Sequence, residues 1–239
     1  MSSAALSASD LNLPLRVCVF CGSRVGLDPA FAESARQTAL EIARRGMHLV
    51  FGGGGTGLMG ITARTALDNG VPVTGIIPTF LMNQETPVES LTECIVVADM
   101  HERKAKMAEL SDLFVVLPGS IGTIEEASEI LTGNWLGLYH KPLGFLNVNG
   151  YYDHFLAFFK EASRAGMMPE ACLTRFIADT DPAKLLDRLL AARTGAVPPL
   201  NADCFSERDK TTCPICQNIF PGALSNLGDK NGVSSGIPQ

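Results

Sequence analysis

The stretch LFVVLPGSIGTIEE, Leu113 to Glu126, decides the fold. Its first five residues are uninterruptedly apolar, as expected of a central parallel strand buried on both faces. The turn PGSIGT follows, and a helical pattern runs from about Thr123 to Leu138, so the segment reads as strand, tight turn, helix. On that reading Glu125 and Glu126 lie in the first helical turn. Working outward, short β-rich runs alternate with longer helical patterns in both directions, the mark of a parallel sheet covered by helices. Strands are predicted at 16–20, 47–51, 71–77, 94–98 and 143–146, with a last strand and helix over about 174–192. Helices are predicted at 29–45, 57–68, 100–110 and 151–165, with a loop or short helix over 78–93. Asp28-Pro29 supplies the N-cap and first position of the first helix, and Asn69-Gly70 stops the second. The fold class is α/β, a single Rossmann-like doubly wound parallel sheet.

The 239 residues, 46% of them hydrophobic, suffice for one substantial core. The domain is expected over residues 15–194, between a flexible N-terminus (1–14) and a disordered C-terminal tail (195–239) rich in Pro, Gly, Asn and Ser. A net charge of −6, with nineteen Lys and Arg scattered along the chain, argues against a nucleic-acid face. No run approaches the roughly 18 apolar residues of a membrane span, and no secretory signal opens the chain, so a cytoplasmic protein is expected. Seven cysteines, an odd number, read as free thiols. Cys18 and Cys21 form a CxxC inside a strand and the start of its loop, which favours core packing over redox chemistry. Cys213 and Cys216, with Cys204 as a third ligand, resemble half of a zinc knuckle; no His or second CxxC completes it, and no metal site is expected.

Chemistry in such folds sits beyond the C-terminal ends of the strands. Three loops there are unusual: CGSR (Cys21 to Arg24), GGGGTGLMG (Gly52 to Gly60) and PGSIGTIEE (Pro118 to Glu126). Glycine permits positive φ and close approach, and successive amides opening a helix form an anion site, so a phosphorylated ligand is expected. Gly22, Ser23, Gly53 and Gly54 are candidate contacts from the first two loops; Gly119, Gly122 and Thr123 provide the nest in the third. Carboxylates beside a phosphate cradle repel the ligand unless they act on it, which sets Glu125 and Glu126 apart from simple compensation of the helix dipole. The formal GxGxxG at Gly52, Gly54 and Gly57 follows the second strand, and no acidic residue ends the next one, so it does not read as a dinucleotide fingerprint. In DMHERK (Asp99 to Lys104), His101 fits a solvated or capping role, and the Arg103 guanidinium suits a phosphate or a carboxylate.

Together these segments resemble the Lonely Guy family of nucleotide phosphoribohydrolases, whose signature pairs PGGxGTxxE with an upstream MHxRK. The matches here are Met100 to Lys104 and Pro118 to Glu126, and the resemblance runs through VCVFCGS, FGGGGTGLMG, LGLYHKPLGFLN and GYYDHFLAFF over about residues 16–190. It implies a dimeric enzyme that cleaves the N-glycosidic bond of cytokinin riboside 5'-monophosphates or AMP without metal or organic cofactor. It implies Arg103 and Glu126 as the catalytic pair. Glu85, Met100, Lys104, Ser120, Ile121, Gly122, Thr123, Ile124, Glu125 and Thr132 are then nucleotide contacts. Ser120 replaces a signature glycine, and a serine resists positive φ. The family's other label, lysine decarboxylase, finds no support, because no lysine stands out as a Schiff-base site. The alternative is a non-catalytic carrier that uses the same cradle for a phosphorylated cofactor such as molybdenum cofactor.

Overall fold

The computed structural model describes residues 14–82, 88 and 90–194. The expected flexible N-terminus and disordered tail, the CPIC cysteines and Glu85 lie outside these residues, apart from Pro14. Seven strands, β1 (Arg16–Phe20), β2 (His48–Phe51), β3 (Val73–Pro78), β4 (Glu93–Val97), β5 (Leu113–Val116), β6 (Leu143–Leu146) and β7 (Phe176–Asp179), form one parallel sheet in the order β4-β3-β2-β1-β5-β6-β7. The helices are α1 (Pro29–Arg44), α2 (Gly57–Asp68), α3 (Thr79–Met82), α4 (Met100–Leu110), α5 (Ile121–Trp135), α6 (Asp153–Arg164) and α7 (Pro182–Thr194).

Alternate residues of the central strands feed two cores, one on each face. Val17, Leu49, Leu113 and Val115 pack with Ala35, Ile42, Leu58, Ala63 and Leu186 of α1, α2 and α7. Cys18, Val50, Phe114 and Val116 pack with Met107, Ala127, Ile130 and Leu156 of α4, α5 and α6. Cys18 and Cys21 are thus buried core thiols, and burial pushes both well above the ordinary thiol range, which leaves them unreactive. No described helix is long and apolar enough to cross a membrane.

Strand order reverses between β1 and β5, and the crevice that open parallel sheets use for ligands is expected at this switch point, outside the ends of these two strands. Gly22 N–H donates to Pro118 O at 3.0 Å, joining the two loops, and Leu58 N–H donates to Gly22 O at 3.0 Å, drawing in the start of α2. That approach demands glycine at position 57, where φ is +57° and a Cβ would strike the Ser23 backbone.

Candidate active site

Helix α5 begins at Ile121, two residues earlier than its sequence predicts. Ser120 is its N-cap residue with φ −95° and ψ −157°, extended backbone open to any residue. The expected resistance of Ser120 to its position therefore does not arise. Nor do Gly119 and Gly122 adopt positive φ. Gly119 is needed for space, since a Cβ there would collide with the Thr123 side chain and approach Gly22 N to 2.9 Å.

The earlier start also moves the glutamates. Glu125 and Glu126 lie in the second turn, where compensation of the helix dipole is weak, and about 100° apart around the axis. Glu125 faces α4, where Lys104 Nζ ion-pairs with it and, at 2.7 Å, with Glu129. These bonds hold the lysine charge above its usual range. Lys104, predicted to bind nucleotide, is thus committed to two carboxylates and only 9% exposed.

Glu126 is partly buried on the crevice side. Loss of solvent raises its carboxyl from 4.5 to about 7, with the nearby Arg103 charge opposing the rise and Glu125 adding to it. Arg103 is 7% exposed at the C-terminal ends of β2 and β3. Its Nη2 donates to Gly52 O at 2.9 Å, its Nε to Ile76 O at 3.2 Å, and its Nη1 lies 3.6 Å from Met100 Sδ. No ion pair joins it to Glu126, so the expectation that it orients the glutamate directly is not met in this state; it acts on Glu126 through its charge. His101 is exposed, and its amide donates to the Oδ1 of the N-cap residue Asp99 at 2.8 Å, so the cap of this helix is Asp99.

Sequence reasoning missed Gly52. A Cβ there would run into the Arg103 guanidinium, so the first glycine of GGGGTG makes room for a charged side chain, a long-range contact with no local signature. Gly53 and Gly54 are buried beside it, whereas Ser23 and Ile121 are exposed at the crevice rim. Gly22 braces Pro118 with its amide. Thr123 is buried under the loop and Ile124 is partly buried against the α4–α6 core.

The amides of Gly119, Ser120, Ile121, Gly122 and Thr123 have no acceptor among the described residues, as expected where a helix opens and as the expected anion nest requires. Thr132 is not part of it. It lies about 16 Å along α5 from Ile121, exposed on a groove of about 750 Å³ between α4 and α5 that also carries Leu136 and Leu138. The described residues include no cluster of three or more potential metal ligands.

A family model described as possible lysine decarboxylase matches residues 59–189. A protein of Oryza sativa subsp. japonica named probable cytokinin riboside 5'-monophosphate phosphoribohydrolase is 45% identical over 174 residues, 73% of this chain and 78% of its own. An Arabidopsis thaliana protein named cytokinin riboside 5'-monophosphate phosphoribohydrolase is 43% identical over 176 residues, 74% of this chain and 77% of its own. Among solved structures, the molybdenum cofactor binding protein of Rippkaea orientalis superposes with a TM-score of 0.58 at 18% identity, covering 75% of this chain and 98% of its own. The molybdenum cofactor carrier protein of Chlamydomonas reinhardtii gives 0.57 at 20%, covering 75% and 99%. At such identities the solved structures speak for the fold alone.

Proposed function

The chain belongs to the Lonely Guy family of cytokinin riboside 5'-monophosphate phosphoribohydrolases, and from that membership we propose that it hydrolyses the N-glycosidic bond of a nucleoside 5'-monophosphate. The substrates are a cytokinin riboside 5'-monophosphate, AMP or both, and the products are free base and ribose 5-phosphate, in cytokinin activation or purine nucleotide turnover. One observation carries the reading: a carboxyl of raised pKa, Glu126, stands one helical turn from a row of amides with no acceptor among the described residues, at the switch point of the sheet.

The amides of Gly119 to Thr123 hold the 5'-phosphate, and that remote binding energy sets the ribose against Glu126. As the C1'–N9 bond breaks, its electron pair leaves with the base and positive charge grows on the ribose ring. The Glu126 carboxylate stabilises that charge and receives a proton from the water that attacks C1'; that proton then passes to the departed base, which leaves neutral as Glu126 returns to its carboxylate form. Arg103 keeps Glu126 ionised against the pull of burial.

A base must be deprotonated to act. kcat/KM for release of adenine from AMP is therefore expected to rise about tenfold per pH unit below 7 and to level off above it. Ionisation of the substrate phosphate, near 6, steepens only the more acidic part. A profile flat from pH 5 to 9 would remove Glu126 from this role.

Gly52→Ala tests the placement of Arg103. The added methyl meets the mobile end of a side chain rather than backbone, so the fold is expected to survive with Tm within a few degrees of wild type. Base release should fall about 10- to 100-fold, the scale of a 1 Å misplacement in an active site. Wild-type turnover in this variant would show that the Arg103 position is immaterial.

The working form is a homodimer on this reading. Leu136 and Leu138 are 63% and 72% exposed on the groove where Thr132 lies, and a second copy seated there would cover them. The free thiols of Cys18, Cys21 and Cys94 suit a reducing cytoplasm. A carrier role draws on structural likeness at 18–20% identity alone, and Ser120, the residue that favoured it, has an unstrained backbone.

A further inference from the structure

The nest of amides in PGSIGT is held open without glycines of positive φ, and the hydrogen bonds on its opposite side supply the reason. Three successive carbonyls of the segment are pinned away from the crevice mouth. Tyr152 Oη donates to Leu117 O at 2.6 Å, Gly22 N–H donates to Pro118 O at 3.0 Å, and Tyr151 Oη donates to Gly119 O at 2.6 Å. In a trans peptide the C=O and the following N–H point in opposite directions, and no peptide bond described here is cis. Fixing Pro118 O therefore aims the Gly119 amide, and fixing Gly119 O aims the Ser120 amide, towards the ligand side.

The two tyrosines are themselves held. Asn149 and Gly150, both left-handed with φ +49° and +75°, turn the chain after β6 so that consecutive hydroxyls reach the loop. Asn149 Nδ2 donates to Asp28 Oδ2 at 2.9 Å, and the Tyr151 ring meets Phe31 edge-on, with 5.3 Å between centroids. Tyr152 packs edge-on against Phe145 and takes Asn147 Oδ1 on its amide at 2.8 Å. Burial drives the Tyr152 hydroxyl far above the ordinary phenol range, so it stays a donor at every physiological pH.

We propose that Tyr151 is a positioning residue for the 5'-phosphate: by clamping the Gly119 carbonyl it aims the Ser120 amide at the anion, whereas Tyr152 holds the Leu117 carbonyl, whose peptide ends in Pro118 and has no N–H to aim. The inference rests on the nucleotide reading of this loop. The Tyr151 hydroxyl is spent on Gly119 O, so its effect falls on phosphate affinity.

The test is calorimetric binding of ribose 5-phosphate, inorganic phosphate and adenosine to wild type, Tyr151→Phe, Tyr152→Phe and the double variant. Each single variant loses one hydrogen bond. Kd for ribose 5-phosphate and for phosphate is expected to rise about three- to tenfold in Tyr151→Phe and by the same factor in the double variant, and to stay at the wild-type value in Tyr152→Phe. Kd for adenosine, which lacks the phosphate, should not move, and KM for AMP should rise more than kcat falls. Tyr151 lies at the surface, so its variant folds even if Tyr152→Phe does not. Lowered Tm of Tyr151→Phe with unchanged phosphate affinity, or equal weakening of adenosine, would overturn the proposal by making that tyrosine merely structural. Wild-type protein that binds neither phosphate nor ribose 5-phosphate would defeat the nucleotide reading, and this inference with it.

Discussion

Glu126→Gln is expected to end base release, lowering kcat by at least about a thousandfold. The amide fills the space of the carboxyl but cannot carry the charge that answers the developing cation, nor accept a proton from water. Nucleotide binding should persist, because the amides of the phosphate loop are untouched. Stability should change in the opposite sense, with a pH signature. A carboxyl whose pKa rises from 4.5 unfolded to about 7 folded binds its proton more tightly in the native state. Its ionisation therefore costs the native state nothing below pH 4.5, and the cost grows as pH climbs through 7, reaching about 3 kcal/mol once the group is charged in both states. Glu126→Gln is then expected to match wild type near pH 4.5 and to exceed it at pH 8 by an amount on that order, read by urea denaturation at the two pH values. A variant no more stable than wild type at pH 8 would mean that Glu126 carries no burial penalty, and the case for its raised pKa would fail.

Arg103→Ala is expected to lower kcat/KM by about 100- to 10,000-fold and to weaken the fold as well. The side chain supplies donors to two strand-end carbonyls, Gly52 O and Ile76 O. Losing both should reduce stability by about 1–3 kcal/mol. It also supplies the nearest cation opposing the rise of the Glu126 pKa. Removing it should push the acid limb of any residual pH profile above 7. Arg103→Lys, which keeps the charge but not the fork, should return the limb towards 7 while recovering only part of the rate. Residual activity with an unshifted profile would separate Arg103 from Glu126 and leave the arginine a structural brace.

Most of the architecture was legible because its signals are local. The apolar run Leu113 to Leu117, the Asp28-Pro29 cap and the Asn69-Gly70 stop each announce an element by composition or capping chemistry, and alternation of strand and helix fixes a parallel sheet. The start of α5 was not legible. Gly122 in a first turn disfavours helix by about 1 kcal/mol, so the pattern places the start after it. The packing of Gly119 against Gly22 and Thr123 overrides that preference. The error carried Glu125 and Glu126 into the wrong turn and hid the fact that they face different neighbours. Arg103 and Lys104 show the same limit. In sequence Arg103 suits a phosphate or a carboxylate and Lys104 a nucleotide, yet both are buried by partners fifty-one and twenty-one residues away. The tyrosine clamp likewise joins residues thirty-two and thirty-five apart, and nothing in GYY by itself says where the hydroxyls go.

The central claim is that the crevice between β1 and β5 breaks the bond between ribose and base rather than merely holding a phosphorylated ligand. It is tested most directly by incubating the protein with AMP and with isopentenyladenosine 5'-monophosphate and quantifying both products by chromatography. The expected result is free base and ribose 5-phosphate in equimolar amounts from at least one nucleotide, and neither product with Glu126→Gln. Recovery of both nucleotides intact after tight binding by the wild-type protein would contradict it and leave a carrier.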